Sequence, residues 1–256
     1  MSGEPFDRRA RRRARDRALP GIAAHDPVLR HVADELDARL AMLAAPPGPQ
    51  LRLGLMLEKP VGTIGADCSF AACAAHGGVQ CDEDRLPFRD AAFAAISGLM
   101  TLHGVNDLPG ALILMRRMLQ PGGRLVAAFP AGFSLAPLRD ALLTADMAAG
   151  GGVAARLGPT VDAAEAAGLL QRAGFQEPVA DVETLTIRVR SLITLARDIR
   201  GMGDSGWLAV RPRGLMTPRR WAAAEAAFAA HADADGRVAV AVQILYLAGK
   251  APDIRP

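Results

Sequence analysis

Residues Cys81–Phe129 read CDEDRLPFRDAAFAAISGLMTLHGVNDLPGALILMRRMLQPGGRLVAAF. Two runs in this stretch have strand character, Phe93–Met100 and Arg124–Phe129. Between them, from Pro109 to Leu119, apolar residues recur at the spacing of one helix face. The pattern predicts a strand, helix, strand unit. Parallel strands joined in this way imply a right-handed crossover and a sheet that is covered on both faces.

The ends of the predicted helix carry the residues that usually start and stop helices. Asn106 or Asp107 is placed to cap the first turn, and Pro109 suits a first-turn position. Gly122 and Gly123 are placed to take the positive φ that ends a helix. The helix is therefore predicted to be a discrete element between two strands.

The order of features in this stretch resembles that of a known superfamily. An acidic residue precedes L-P-F, a strand ends near Ser97, and an L-H-G-V-N-D loop, a helix and P-G-G follow. This succession is similar to class I S-adenosylmethionine-dependent methyltransferases of the type 11 group. The resemblance implies an α/β, Rossmann-like fold. Its sheet is expected to have seven mostly parallel strands, with helices on both faces and a final antiparallel strand.

The first predicted strand, Leu51–Leu57, departs from the superfamily pattern at the cofactor turn. The superfamily has D-x-G-x-G-x-G here, because a Cβ would block the approach of backbone to cofactor. Only Gly54 matches a glycine of that turn, and residues 55–57 are Leu, Met and Leu. The second strand, predicted at Val61–Asp67, follows within a few residues. A crossover normally needs ten or more residues, so the first crossover helix is predicted to be missing.

The resemblance also implies which residues would contact S-adenosylmethionine. Asp67 matches the acid that bonds the ribose hydroxyls, and Asp82 matches the carboxylate that reaches the adenine amino group. The implied cofactor-binding residues are Gly54, Asp67, Cys68, Asp82, Glu83 and Ser97. The alternative for Asp67 and Asp82 is that they are ordinary solvated loop acids.

His103 is the one candidate for a catalytic role. It lies in the L-H-G-V-N-D loop, at the carboxyl end of a predicted strand, where open α/β sheets bind ligands. One interpretation is a histidine that is hydrogen-bonded to nearby backbone. The other is a side chain that faces the substrate or shuttles a proton.

The N-terminal region, residues 1–45, is predicted to be an arm and a helix that pack on a methyltransferase-like α/β domain formed by residues 46–256. The helix, Pro27–Leu43, has apolar residues at helical spacing and Asp26 as its cap. The arm contains seven arginines between Arg8 and Arg17. Either it is a solvated helix, or it docks on an acidic partner or on membrane lipid.

Composition limits the other possibilities. The formal charge of +3 comes almost wholly from arginine, a bias that alanine-rich sequences of GC-rich genomes share, so no nucleic-acid partner is predicted. Three cysteines without a C-x-x-C pair predict a reduced interior and no metal site. Apolar runs are too short for a membrane span, and the arginine-rich start lacks the apolar segment of a secretory signal. We expect a cytoplasmic protein, with peripheral membrane association left open.

Five blocks of sequence point to a narrower group within the superfamily. They are similar to the alphaproteobacterial and mitochondrial methyltransferase-like proteins related to the assembly factor of respiratory complex I. The blocks are PFDRRARRRARDRA from Pro5, VADELDARL from Val32, LHGVNDLPGAL from Leu102, RGMGDS from Arg200 and QILYLAG from Gln243. The group is also similar to malonyl-carrier-protein methyltransferases.

Two functions follow from that resemblance. The first is an S-adenosylmethionine-dependent enzyme that modifies a protein substrate, such as a respiratory-complex subunit. The second is a non-catalytic relative that keeps the fold and acts as an assembly or interaction partner. The altered cofactor turn is the sequence feature that separates them.

Overall fold

The computed structural model describes residues 3–148, 154–212, 214 and 216–253. Its strands are β1 Gln50–Leu53, β2 Ile64–Asp67, β3 Val79–Gln80, β4 Phe93–Leu99, β5 Leu119–Ala131, β6 Gln176–Val189 and β7 Val238–Lys250. Its α-helices are α1 Arg8–Ala18, α2 Pro27–Met42, α3 Phe70–His76, α4 Leu108–Met118, α5 Ala136–Ala148, α6 Ala163–Arg172, α7 Leu192–Gly201 and α8 Pro218–Ala229. Among these described residues, no helix is both long and apolar enough to cross a bilayer.

The strands form one sheet in the order β3-β2-β1-β4-β5-β7-β6. Strands β1 to β5 pair in parallel, and β7 is antiparallel to both β5 and β6. The predicted seven-stranded, mostly parallel sheet with an antiparallel last strand is confirmed. Such an order has its switch point between β1 and β4, which is where open α/β sheets bind ligands.

Helices cover both faces of the sheet, as β5 illustrates. Its residues alternate, because successive side chains of a strand point to opposite faces. Leu125, Ala127 and Phe129 belong to the apolar core under α4 and α6. Val126 and Ala128 belong to the core under α2 and α3. Successive residues of β5 thus face the two helix layers in turn.

The unit predicted from Cys81–Phe129 is present. The side chain of Asp107 caps α4 by accepting a hydrogen bond of 2.8 Å from the amide of Gly110. Gly122 takes a positive φ of 72°, but it lies inside β5 and does not end the helix, whose C-cap is Leu119; Gly123 does not take a positive φ. A Cβ at Gly123 would lie 3.1 Å from the carbonyl oxygen of Ala94, so this glycine provides space rather than a turn.

The crossover between β1 and β2 contains no helix, which confirms the prediction. Ten residues, 54–63, connect the two strands as an irregular loop. The first strand ends at Leu53 rather than Leu57, because Gly54 turns the chain with a φ of 89°. The side chain of Leu55 takes the space beside β2 and β3: a Cβ at Gly78 would lie 2.5 Å from Leu55 Cδ1, and one at Gly65 would lie 2.9 Å from it.

The N-terminal region consists of α1, a 3-10 segment at Leu19–Ala24, and α2. Helix α2 buries Leu29, Val32 and Leu36 against the sheet. Asp26 does not cap this helix through its side chain, because the carboxylate pairs with Arg30 at 2.6 Å instead. The predicted division of the chain at residue 45 stays a prediction.

Candidate functional site

The carboxyl ends of β1, β2 and β4 meet at one edge of the sheet, below called the carboxyl edge. Gly54 follows β1, Asp67 ends β2, and Thr101 lies two residues beyond β4. The acidic loop, defined as residues 82–84, follows β3 at the same edge. The topology therefore brings the acids predicted at positions 67, 82 and 83 to the place where this fold binds ligands.

Asp67 is the most enclosed of these acids, with a side chain that is fully buried. Its Oδ1 accepts hydrogen bonds from Arg15 Nε at 3.2 Å and from the amide of Ser69 at 2.7 Å. Its Oδ2 accepts from Arg15 Nη2 at 2.8 Å and from the amide of Leu55 at 2.7 Å. Burial alone would raise the pKa of Asp67, but Arg15 and the two amides hold that pKa below its ordinary value. All four acceptor positions of this carboxylate are thus occupied by the protein itself.

Glu83 is the second buried acid, and it binds Arg11 in a bidentate pair. Arg11 Nη1 donates to Glu83 Oε2 at 2.7 Å, and Arg11 Nη2 donates to Oε1 at 2.9 Å. Nη2 also donates to the carbonyl and hydroxyl oxygens of Thr101, both at 2.8 Å. The Thr101 hydroxyl in turn donates to Glu83. Burial would lower the pKa of Arg11, but Glu83 raises it well above the ordinary value, so this guanidinium stays charged.

Two further acids of the loop bind the outer arginines of α1. Asp84 receives two hydrogen bonds from Arg8, at 2.6 and 2.7 Å. Asp82 pairs with Arg12 at 2.6 Å and with Arg8 at 3.3 Å. Asp82 is therefore not a solvated loop acid, and neither is Asp67.

One face of α1 supplies all four of these arginines. Arg8, Arg11, Arg12 and Arg15 recur at intervals of three and four residues, which places them on one side of a helix. The arginines at 9, 13 and 17 are exposed on the opposite side. The interpretation of the arm as a solvated helix is therefore wrong, since it docks on an acidic surface of its own chain.

Two glycines make room for this helix. A Cβ at Gly104 would lie 2.6 Å from Arg11 Nε, and a Cβ at Gly203 would lie 3.0 Å from the Cα of Arg15. A side chain at Gly104 would collide with the Arg11 guanidinium, and one at Gly203 would crowd the backbone of α1 at Arg15. The edge is therefore shaped around the arginines as well as charged to match them.

The turn after β1 has no space comparable to a glycine-rich cradle. Leu55 and Met56 are buried at the position of the missing glycines. Gly54 itself is explained by crowding, because a Cβ there would collide with the carbonyl oxygen of Leu99. The glycine that matched the cofactor pattern is thus required by the neighbouring strand.

Ser97 does not present its side chain at the carboxyl edge, whereas the thiol of Cys68 lies near the charges of Arg11 and Glu83 there. Ser97 lies inside β4, which continues to Leu99, and its hydroxyl bonds the carbonyl of Leu51 at 3.4 Å. Cys68 is fully buried, and burial raises the pKa of its thiol. The position of Ser97 does not support its predicted cofactor contact, and the predicted contact at Cys68 stays a prediction.

His103 pairs with a carboxylate rather than with backbone. Its Nε2 lies 3.3 Å from Asp204 Oδ2, and its ring centroid lies 5.7 Å from that of Trp207. Burial alone would raise the pKa of Asp204, but His103 lowers it. Neither His103 Nδ1 nor Trp207 Nε1 has a hydrogen-bond partner among the described residues. The backbone-bonded interpretation of His103 is wrong, and its proton-shuttling role stays a prediction.

Sequence reasoning missed Arg11, Arg15, Thr101 and Asp204. The spacing of the arginines was a usable signal, because it marks one face of a helix. Nothing local indicated that this face would meet acids that lie more than fifty residues away. Asp204 lies in a G-D-S-G run that has no helical or strand periodicity to place it.

Comparison with known proteins agrees with this architecture. A profile described as "Methyltransferase domain" matches residues 63–127. The mitochondrial arginine-hydroxylase NDUFAF5 of Danio rerio is 32% identical over 68% of this chain and 54% of its own length. The chain is a class I methyltransferase-like protein related to the complex I assembly factor group. A second relative in this superfamily is the malonyl-[acyl-carrier protein] O-methyltransferase of Halorhodospira halophila, 32% identical over 66% of this chain and 55% of its own length.

The chain spans about half the length of the curated relatives it matches. Among solved structures, an S-adenosylmethionine-dependent methyltransferase of Thermotoga maritima superposes with a TM-score of 0.54 at 16% identity. That alignment covers 94% of this chain and 99% of the other. At this identity the likeness establishes the shared fold alone.

The carboxyl edge, as the structure shows it, does not fit S-adenosylmethionine. The carboxylate that would bond the ribose, Asp67, has no free acceptor position. Asp82, which would bond the adenine, pairs with two arginines. Leu55 occupies the position where the turn should be open. The family binds this cofactor, whereas in this conformation α1 and Leu55 take the cofactor's place.

Proposed function

We propose that this protein acts on an arginine-bearing segment of a protein partner during assembly of a respiratory complex. The carboxyl edge of the sheet would hold the arginine. The mitochondrial relative is named for an activity on arginine. The observation that carries the proposal is that buried carboxylates at this edge bind guanidinium groups through paired, short hydrogen bonds.

The geometry of the Glu83 site supports an arginine ligand in particular. Two parallel hydrogen bonds join its carboxylate to one guanidinium, and Thr101 accepts two further hydrogen bonds. Only arginine offers a planar fork that matches this arrangement, because a lysine ammonium is a point donor. The site therefore has the chemistry to select arginine over lysine in a protein segment.

The proposal includes a location and a kind of partner. We place the protein in the cytoplasm, with peripheral contact to the membrane that holds the respiratory complex. The partner is a subunit of that complex and no nucleic acid is involved. Nothing in this proposal depends on a step through S-adenosylmethionine.

One observation favours a second candidate, a non-catalytic assembly partner. Leu55 packs directly on Gly65 and Gly78, so it would still fill the cofactor turn if α1 moved away. A chain with this turn could recognise a partner without transferring a group to it. The two candidate functions share recognition of the partner's arginine and differ in whether that arginine is chemically modified.

A disruption experiment in the source organism tests both. We expect loss of the gene to lower the amount of assembled complex on native gels and to remove an arginine modification from its subunits in peptide mass spectra. Complementation with the wild-type gene should restore both signals, and so should the exposed-site control Glu177→Gln. Lower assembly without any change at arginine would favour the second candidate. Unchanged assembly and unchanged arginines would refute the proposal.

A further inference from the structure

We propose that helix α1 is an exchangeable intramolecular ligand of the carboxyl edge, which it closes until an arginine-bearing segment replaces it. The helix has seven arginines and occupies the acids that the family pattern assigns to the cofactor. The pairing of those acids with arginines then belongs to the closed state of the site, whereas Leu55 fills the cofactor turn in either state.

The groove under α1 is specific for a helix of this charge pattern. Its acids lie opposite arginines at relative positions 0, 3, 4 and 7 of the helix. Gly104 and Gly203 provide the space that two of those arginines need. A segment that replaces α1 should therefore be helical and carry arginines at the same spacing.

Helix α1 is held by charge more than by apolar packing. Its buried residues are two arginines and two alanines, Arg11, Ala14, Arg15 and Ala18. The alanines bury little apolar area, and a helix of 11 residues is marginal in isolation. A competing arginine helix could therefore reproduce the ion pairs that fix α1, and an acid at the position of Asp16 would add the hydrogen bonds from Ser69 and Ala71.

The connections of α1 allow it to leave without unfolding the sheet. Towards α2 it continues into the 3-10 segment Leu19–Ala24, in which no residue is buried. On the other side a latch holds it: Phe6 packs edge-on against Trp207 at 5.0 Å between ring centroids. The amide of Asp7 also donates to the carbonyl of Trp207 at 2.8 Å. Release of this latch together with the ion pairs would free the whole helix on its linker.

Departure of α1 would expose four carboxylates together, at positions 67 and 82–84. Like charges at this separation repel, and all four would lose their guanidinium partners. The open state is therefore unfavourable until another cation enters, which makes opening dependent on the ligand. The identity of the replacing segment rests on the proposed function, whereas the release of α1 does not.

Hydrogen exchange on the full chain tests the release. We expect amides of α1 to exchange faster than those of α4 in the wild-type chain, through local opening. Arg11→Gln with Arg15→Gln should speed exchange in α1 further. The matched control, Arg9→Gln with Arg13→Gln, removes the same charge from the exposed side of the same helix and should not. If the first pair fails to fold, Phe6→Ala loosens the latch and leaves every carboxylate pair in place.

Peptide binding in trans tests the exchange. The probe is a labelled peptide with the sequence of residues 5–19, and its control has lysine at every arginine position. Because the tethered α1 competes at high effective concentration, we expect the Phe6→Ala chain to bind the probe about tenfold more tightly than the wild type does. The lysine peptide should bind more weakly to both.

Exchange of α1 amides no faster than those of α4, with no peptide binding to either variant, would overturn the proposal. Faster exchange without peptide binding would also overturn it, because it would indicate only a fraying helix. Equal binding of the two peptides would contradict arginine selectivity. Since the probe is α1 itself, these results do not depend on whether a respiratory subunit proves to be the partner.

Discussion

The two crossovers beside the switch point of the sheet are built in opposite ways. Strands β4 and β5 are joined through α4, a capped helix of 11 residues with a buried apolar face. Strands β1 and β2 are joined by ten residues without a helix. The crossover between β4 and β5 is stabilised by its own sequence, and the crossover between β1 and β2 by groups that come from elsewhere in the chain.

The substitutes for the missing helix are few and identifiable. Leu55 fills the space beside the glycines of β2 and β3, and its amide is fixed by the carboxylate of Asp67. That carboxylate is fixed in turn by Arg15 of α1. A crossover can therefore lose its helix when one apolar side chain and one buried ion pair replace it.

The largest effect should come from breaking that ion pair. Asp67→Asn leaves the buried Arg15 without its partner, so we expect the free energy of unfolding to fall by about 3–5 kcal/mol. The control lies at the other crossover, where Asp90 pairs with Arg117 on the surface. Asp90→Asn should cost about 0–1 kcal/mol. Equal losses by denaturant titration would mean that the helix-free crossover does not depend on Asp67.

The next largest effect should come from truncating a buried apolar side chain in each crossover. Leu55→Ala and Leu112→Ala each remove a fully buried leucine, one from each crossover, and each should cost about 2–5 kcal/mol. The exposed Ile113 of α4 provides the control, because Ile113→Ala should change stability little. If Leu55→Ala were as mild as Ile113→Ala, the leucine would not be the substitute for the helix.

Lowering the pH should destabilise the helix-free crossover between β1 and β2. At any one pH the loss of stability should be smaller than that caused by the substitutions above. Burial would raise the pKa of Asp67 and of Asp84, but Arg15 and Arg8 respectively lower them below the ordinary value of about 3.9. Their stabilisation is complete above that ordinary value, and it is lost as the pH falls through the lowered pKa. Denaturant titrations from neutral pH to below pH 4 should show the loss. Asp67→Asn should flatten the profile, and an unchanged profile would contradict the assignment.

The smallest effect should come from the cap of α4. Asp107→Ala removes the hydrogen bond to the amide of Gly110 and should cost about 1 kcal/mol. Asp107→Asn keeps an acceptor at the same position and should cost less. Thermal unfolding measures both, and a loss as large as that of Leu112→Ala would mean that Asp107 has a further role.

The sequence was sufficient for the helical crossover and for the sheet because the signals there are local. The periodicity of α4 and its N-terminal cap lie within one short stretch. The absence of a helix after β1 was also predicted correctly, although the predicted strands left only three residues between them and the structure has ten. These features depend on neighbours in sequence.

The candidate site could be predicted only in part, because its contacts are distant in sequence. Asp67, Asp82 and Glu83 were identified as site residues, but their partners in α1 are separated from them by 52 to 72 residues. The resemblance placed Ser97 at a strand end, whereas it lies inside β4, which continues to Leu99 as the apolar pattern indicated. Which charges meet across the sheet is a property of the folded chain.

The burial of Arg11 and Arg15 determines which changes in the cell could open this site. Mobile ions screen charges in solvent over a distance of about 8 Å at physiological ionic strength, but they act weakly on pairs enclosed by protein. Arg12, with 37% of its side chain exposed, should respond to salt, whereas Arg15, at 3%, should not. Changes in osmolarity or metabolite anions would then leave the edge closed, and only a ligand of matching shape would compete for it.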